Sequence, residues 1–142
     1  MTVKEMMTAD VEAISADESV VQAAQKMRDL DVGALPVRNG TEQVLGIVTD
    51  RDLIVRGIAG GDSPADLKIK KVMTQDVVTC RPEHTANEAM ELMKQSQIRR
   101  LVVTDDQGDA VGILSLGDIA VECHEYKKTG EAVEAISEPA AA

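Results

Sequence analysis

The sequence repeats itself at a fixed shift of 66 residues. Residues 3–54 can be laid over residues 69–120 without a gap, which aligns Met7-Thr8 with Met73-Thr74 and Gly46-Ile47 with Gly112-Ile113. Chance does not keep such a register over about fifty positions, so the segment is a duplicated structural unit. The chain must therefore fold as two homologous halves.

Each half predicts the same order of elements. A short β-prone run comes first, and a helical spacing of apolar residues follows Ser19 and Thr85, each of which fits a capping box. Two more β-prone runs then flank a turn and predict a β-hairpin, which a second helix follows. The predicted class is α/β (α+β), with two β-α-β-β-α repeats.

The change in composition along the chain sets the expected boundaries. The first repeat and its linker take residues 1–66, and the second repeat takes residues 67–126. An acidic C-terminal tail takes residues 127–142, where we expect one short helix or fraying and assign no chemistry.

Charge and hydropathy exclude several classes of partner. The 142 residues carry a formal net charge of −10, which disfavours nucleic acid and anionic membrane surfaces. The sequence has neither an apolar run near the ~18 residues of a membrane span nor a signal-peptide pattern at its start. Its two cysteines do not form a disulfide framework. These features predict a cytoplasmic protein with reduced thiols.

A hydroxyl residue followed three positions later by an aspartate ends each hairpin, as Thr49 with Asp52 and Ser115 with Asp118. This spacing fits a hydroxyl N-cap with an acid at the third helical position. It also fits a ribose phosphate site, because a helix N-terminus suits phosphate and an aspartate accepts hydrogen bonds from ribose hydroxyls. The spacing alone leaves both interpretations open.

Three motifs, in the same order in both halves, resemble a tandem pair of cystathionine-β-synthase-type (CBS) domains, or Bateman module. They are the Met-Thr-x-Asp-Val opening, the central Gly33-Ala-Leu-Pro-Val37, and the Gly-x-x-Thr/Ser-x-x-Asp that ends at Asp52 and Asp118. The resemblance covers roughly residues 3–126 and is strongest to small bacterial CBS-domain proteins. It implies two repeats packed with pseudo-two-fold symmetry, which leave two clefts for adenosine derivatives such as AMP, ADP, ATP, S-adenosylmethionine or NAD.

The resemblance also implies that each cleft combines the motif of one half with strand residues of the other. The first cleft would use Thr49, Arg51, Asp52, Thr74, Val77, Val78, Arg99 and Arg100. The second cleft would use Thr8, Val11, Glu12, Gly33, Ala34, Ser115 and Asp118. Because guanidinium groups suit phosphate and Glu12 would repel it, we expect the first cleft to bind the phosphorylated end more strongly.

The sequence favours regulation over catalysis. No nucleophile stands beside a general base, and the histidines and cysteines lack a metal-ligand spacing, so we expect no enzyme, no catalytic cofactor and no metal site. The leading hypothesis is a signal-transduction sensor with AMP or ATP as its regulatory ligand and an unknown regulated protein as its partner. The resemblance also implies a homodimer, formed through the helices that follow the hairpins, where Leu53, Ile54, Ile58, Ile119 and Val121 would supply the apolar contact.

Two alternatives remain open. The first is a ligand-independent homodimeric interaction module, in which both aspartates only cap helices. The second, weaker one is a redox- or metal-responsive protein that uses Cys80 and Cys123.

Overall fold

The computed structural model describes residues 1–40, 43–75 and 77–139. Asp76 of the second Met-Thr-x-Asp-Val opening, residues 41–42 of the first hairpin turn, and residues 140–142 of the tail lie outside the described residues. In the described part, no helix is long and apolar enough to cross a membrane.

Short strands and helices alternate along both halves. The strands are β1 Thr8–Ala9, β2 Ile14–Ser15, β3 Ala34–Arg38, β4 Val44–Thr49, β5 Thr74–Gln75, β6 Thr79–Cys80, β7 Arg100–Thr104 and β8 Ala110–Ser115. The α-helices are α1 Val3–Met6, α2 Val20–Leu30, α3 Asp50–Asp52, α4 Ala86–Ser96, α5 Leu116–Cys123 and α6 Tyr126–Ser137. This order confirms the mixed α/β class and the two repeats.

The chain divides into two compact units whose boundaries do not follow those of the repeats. Unit 1 comprises Met1–Asp10, Val78–Asp106 and Val111–Ala142. Unit 2 comprises Val11–Val77 and Gln107–Ala110. The opening residues of each repeat therefore belong to the unit that holds most of the other repeat.

Strand pairing shows the same exchange. The sheet of unit 1 has the order β1-β8-β7-β6, and β1 runs antiparallel to β8 with Thr8 opposite Ile113. The sheet of unit 2 has the order β2-β3-β4-β5, with Thr74 of β5 opposite Ile47. Each four-stranded sheet is thus completed by the first strand of the other repeat.

Two glycines make this strand addition possible. A Cβ atom at Gly112 would lie 2.9 Å from the Thr8 carbonyl oxygen and 2.6 Å from Met7 Sδ. A Cβ atom at Gly46 would overlap the Thr74 carbonyl oxygen. Glycine is therefore required at both positions by the close approach of a neighbouring strand.

Each unit has its own aliphatic and methionine core. Helix α4 buries Ala86, Ala89, Met90 and Met93 in unit 1, so both methionines fill the core. Helix α2 buries Val20, Ala23 and Met27 in unit 2, while its apolar residues Ala24 and Leu30 are exposed.

The exchanged opening segments also supply core residues. Val3 and Met6 pack in the core of unit 1, and the equivalent Ile69 and Val72 pack in the core of unit 2. Both cores thus depend on residues from the two repeats.

The helices that follow the two hairpins differ. In the second repeat α5 is a regular α-helix. In the first repeat, α3 continues as a π-helix over Leu53–Gly57 and then as a 3₁₀ turn over Ile58–Gly60. The predicted helix from Asp50 to about Ile58 is present, but the sequence carries no signal for its change of geometry.

The C-terminal tail forms a helix of 12 residues, α6. Ala132 and Ile136 of α6 join the core of unit 1, and Thr129 is buried as well. Of the two alternatives for the tail, the structure selects a helix that packs against the second repeat.

Candidate functional site

Both predicted motifs form reciprocal capping boxes. The Asp52 amide donates to Thr49 Oγ1 at 3.1 Å, and the Thr49 amide donates to Asp52 Oδ2 at 3.0 Å. The Asp118 amide donates to Ser115 Oγ at 3.0 Å, and the Ser115 amide donates to Asp118 Oδ2 at 2.8 Å. Each carboxylate therefore fixes the start of its own helix, and a carboxylate has further lone pairs with which to accept other hydrogen bonds.

Asp52 has a second partner on the same helix. Arg56 Nε lies 3.7 Å from Asp52 Oδ1, and Arg56 Nη1 donates to the Met73 carbonyl oxygen at 3.3 Å. The Asp52 residue is only 9% exposed. Arg56 therefore contributes to the local structure around Asp52.

The arginine pair of the second repeat lies beside the Ser115 motif. Arg100 begins β7 and Ser115 ends β8, and these two strands are neighbours in the sheet of unit 1. The Leu116 amide donates to the Arg99 carbonyl oxygen at 2.9 Å. The hairpin thus brings both arginines to the N-terminus of α5.

These residues line a cavity of about 420 Å³ within unit 1. Its lining residues are Arg99, Arg100, Ser115, Leu116, Gly117, Ala120, Thr129, Val133, Ile136 and Ser137. The lining carries two positive charges and no carboxylate, and Asp118 is not part of it. Its volume falls in the range of small-molecule sites, and it combines an apolar wall with cationic and hydroxyl groups.

This arrangement changes the expected grouping of the arginines. The sequence analysis assigned Arg99 and Arg100 to the motif of Thr49 and Asp52, whereas the contacts within unit 1 place them with Ser115. The reason is the hairpin register, because the start of the first hairpin strand lies opposite the end of the second. In unit 2 the same register places Ala34 opposite Thr49.

Gly33 follows the same rule. The Asp50 amide donates to the Gly33 carbonyl oxygen at 2.9 Å, as the Leu116 amide does to that of Arg99. Gly33 and Ala34, which were expected near Ser115 and Asp118, therefore lie beside the Thr49 motif within unit 2.

The other predicted site residues fall in both units. Thr8 of β1 pairs with β8, the strand that ends at Ser115. Thr74 of β5 pairs with β4, the strand that ends at Thr49. Each threonine is therefore in the same unit as its expected motif. Arg51 is exposed on α3. Val11, Glu12 and Val77 belong to unit 2, and Val78 packs against the core of unit 1. Glu12 forms an ion pair with Lys26 at 3.6 Å.

The cysteines occupy apolar surroundings. Cys80 is 1% exposed, and burial raises the pKa of its thiol to about 11. Cys123 Sγ lies 3.6 Å from Met6 Sδ. Among the described residues, no group of three or more His, Cys, Asp and Glu side chains is placed to hold a metal ion. These environments are typical of packing residues.

Sequence reasoning did not find the contribution of α6 to the cavity. Thr129, Val133, Ile136 and Ser137 form one wall, although no chemistry was assigned to this region. The amphipathic spacing of Ala132 and Ile136 would have predicted a packed helix. Nothing in the sequence indicates which surface this helix covers.

Comparison with known families decides the classification. The model of the CBS domain matches the chain twice, over residues 3–57 and 69–125. The chain belongs to the CBS domain family. Proteins built on CBS pairs are generally regulatory, and the two matched domains account for most of this chain.

Relatives of the CBS pair span nearly the whole chain. The uncharacterized protein YlbB of Bacillus subtilis is 39% identical over 137 residues, which cover 96% of this chain and 91% of YlbB. The crystal structure of Hypoxic Response Protein I with two coordinated zinc ions is 30% identical, with a TM-score of 0.75, and the match covers 86% of this chain and 98% of that one.

Two solved neighbours contain adenosine ligands. CBSX2 in complex with AMP has a TM-score of 0.72 at 24% identity, over 89% of this chain and 98% of that one. The CBS pair of protein MJ0100, in complex with 5'-methylthioadenosine and S-adenosyl-L-methionine, has a TM-score of 0.76 at 23% identity. The latter match covers 85% of this chain and 98% of that one. At these identities the likeness is one of fold.

Proposed function

We propose that this CBS pair is a regulatory protein that binds an adenosine nucleotide, AMP or ATP, and acts through a separate partner. The observation that carries the proposal is the cavity at the Ser115 motif. It combines two arginines, a helix N-terminus, hydroxyl groups and an apolar wall in about 420 Å³. The adenosine ligands of CBSX2 and MJ0100 support the ligand class.

The phosphorylated part of the nucleotide binds at Arg99 and Arg100. Neither guanidinium forms an ion pair within the described residues, so both are available to phosphate oxygens. The N-terminus of α5 adds the positive end of a helix dipole. Accordingly, we now assign the stronger phosphate site to the Ser115 motif instead of the Thr49 motif.

The Thr49 motif provides a second, weaker site. Thr49, Asp52, Thr74 and Val77 belong to unit 2, where the small Gly33 and Ala34 stand in place of the arginines. Binding regulates the partner by shifting a population between two conformations, which requires a different affinity for each.

Calorimetry and thermal unfolding with AMP, ADP, ATP, NAD, S-adenosylmethionine and adenosine test the proposal. A ligand at a hundred times its Kd should add about 2.7 kcal/mol to the free energy of unfolding. This corresponds to a rise in Tm of roughly 8–10 °C for a chain of this size. The phosphorylated ligands should bind more tightly than adenosine, because only they engage the arginines.

Matched variants locate the stronger site. Arg100→Ala should weaken AMP or ATP binding at least ~10-fold, since hydrogen bonds to charged groups contribute about 1.5–3 kcal/mol. Arg38→Ala, an exposed arginine at the end of β3, is the control and should bind as the wild type does. Asp118→Asn should weaken nucleotide binding more than Asp52→Asn does. Both asparagine side chains keep a carbonyl oxygen that can accept from the capping amide. The opposite order would return the stronger site to Asp52.

The exposed apolar residues after α3 favour a second candidate function, a ligand-independent homodimeric module. Ile54, Val55 and Ile58 are 58%, 49% and 56% exposed. Leu53 and Ile119, which the sequence analysis placed in the dimer contact, are buried in the cores of their own units and cannot form it. A dimer in sedimentation that Ile54→Glu dissociates, together with no nucleotide effect on Tm, would favour this module.

A further inference from the structure

Helix α6 lies beyond the second matched CBS domain, which ends at residue 125, yet it forms one wall of the cavity. Its position is fixed by packing, because Ala132 is fully buried and Ile136 is 8% exposed in the core of unit 1. The wall is therefore a rigid part of the site in this chain and not a loose extension.

Thr129 presents an unexplained polar group on that wall. The residue is 8% exposed, and its amide donates to the Glu125 carbonyl oxygen at 2.9 Å in the usual helical bond. Its Oγ1 is buried and has no hydrogen-bond partner among the described residues. Helical threonines commonly bond to the carbonyl four residues earlier, but this hydroxyl does not.

An unpaired buried hydroxyl destabilises a fold and calls for a reason. Thr129 lines the same cavity as Arg99, Arg100 and Ser115, so an anion held by the arginines would lie in the cavity that Thr129 borders. A hydroxyl can donate one hydrogen bond to a phosphate oxygen. A bound phosphoryl group would thus supply the partner that the protein does not.

We propose, resting on the proposed function, that Thr129 is a ligand-binding residue whose hydroxyl donates to the phosphoryl group of the bound nucleotide. Helix α6 is then part of the binding site, and the site of this chain extends beyond its two CBS domains. Arg99 and Arg100 provide the charge, and Thr129 provides a directional contact from the opposite wall.

The test compares Thr129→Val, which removes the hydroxyl but keeps the shape, with Thr129→Ser, which keeps the hydroxyl. Calorimetry with AMP and ATP, each compared with adenosine, should show that Thr129→Val lowers the preference for the phosphorylated ligand about 10-fold or more, the range of one hydrogen bond to a charged group. Thr129→Ser should stay near the wild type. Thr104→Val, at a buried threonine of β7 outside the cavity lining, controls for the loss of any buried hydroxyl.

The unliganded proteins give a second readout. Because Thr129→Val removes an unpaired hydroxyl, its Tm without nucleotide should equal or exceed that of the wild type. A fall of several degrees would show that the hydroxyl stabilises the fold, and would overturn the proposal.

The remaining outcomes separate this proposal from the proposed function. If Thr129→Val keeps the wild-type preference while Arg100→Ala loses affinity, the role of Thr129 is refuted and the nucleotide site stands. If Thr129→Ser weakens binding as much as Thr129→Val, the methyl group matters and the hydroxyl contact is refuted. If the wild type binds none of the nucleotides, both proposals fail.

Discussion

The Thr49 and Ser115 motifs share the same capping box but differ in the charged residues that flank them. Arg56 on the helix of the first motif pairs with Asp52, whereas Glu122 stands at the equivalent position of the second. Helix α5 contains no basic residue, so no cation of its own helix pairs with Asp118. The first carboxylate is thus held by its own helix, and the second is more available to a ligand.

The residues at the start of the two hairpins also differ in charge. Gly33-Ala34 precedes the first motif, and Arg99-Arg100 precedes the second, where the cavity lies. The duplication therefore kept what the fold needs, a capped helix after each hairpin. The flanking residues diverged, and the proposed difference in phosphate binding between the two motifs rests on this divergence.

The strongest test of the shared scaffold is at the two glycines. Gly46→Ala should cost about 3 kcal/mol of unfolding free energy and Gly112→Ala about 1–2 kcal/mol, as overpacking does. Gly46→Ala should cost more because its Cβ would meet the backbone of Thr74, whereas the Cβ of Gly112→Ala would meet mainly the movable thioether of Met7. Urea unfolding measures both. Gly60→Ala, with nothing within 4 Å of its Cβ, is the control and should stay within about 0.5 kcal/mol. Equal costs at Gly46 and Gly112 would contradict the comparison.

The packing of α6 is tested at its last buried residue. Ile136→Ala should destabilise the protein by about 2–3 kcal/mol, because it removes apolar atoms from the core of unit 1. Val133→Ala, at a residue that is 46% exposed on the same helix, should cost less than about 0.5 kcal/mol. Chemical unfolding followed by circular dichroism gives both values. Similar small effects of the two changes would mean that α6 frays in solution.

The capping aspartates sharpen the comparison between the two motifs. Asp52→Ala and Asp118→Ala should each cost about 1.5–2.5 kcal/mol, because each removes a charged hydrogen bond to a helix amide. Asp52→Ala should lower the free energy of unfolding by about 0.5 kcal/mol more than Asp118→Ala does, because it also removes the ion pair with the exposed Arg56. A double-mutant cycle with Arg56→Ala isolates this difference. A zero coupling energy would remove Arg56 as the reason for any difference.

The last prediction concerns the pH dependence of stability that Cys80 contributes. Burial raises the pKa of its thiol to about 11, so the folded state holds this proton more tightly than the unfolded state does. The corresponding stability is complete below about pH 9 and falls as the pH rises toward 11. Urea unfolding across this interval should show a shallower decline in Cys80→Ala than in the wild type. Lys94, whose pKa is raised by its hydrogen bond to Glu91, titrates in both proteins and cancels. Equal declines of the unfolding free energy in the two proteins would show that the Cys80 thiol does not contribute to the pH dependence.

Much of the fold followed from local patterns. The capping box at Ser19 forms as the spacing predicts, whereas at Thr85 only the N-cap bond forms, because the Glu88 carboxylate accepts from the Thr85 hydroxyl instead of its amide. The Asn39-Gly40 and Gly108 turns lie where the hairpins require them. These features depend on a few adjacent residues, which a sequence displays directly. The π-helix after Asp52 was not predictable, because no local residue pattern in Leu53–Gly57 distinguishes it from an α-helix.

The candidate site was predicted in its residues more than in their grouping. Ser115, Arg99 and Arg100 were all named, but the arginines were placed with the other motif. Hairpin register also brings the arginines beside Ser115, because the start of the first hairpin strand is adjacent in space to the end of the second. Thr129 could not have been found, because its importance depends on a tertiary contact between α6 and the second repeat.

The exchange of opening strands has a consequence for the origin of the chain. A single ancestral copy would have left one edge of its sheet and part of its core unfilled, since Val3, Met6 and β1 pack with the other repeat. Such a copy would have needed a second molecule to complete it. On this view the gene fusion joined two chains that already depended on each other, and separating the halves of the present protein should yield fragments that fold only when mixed.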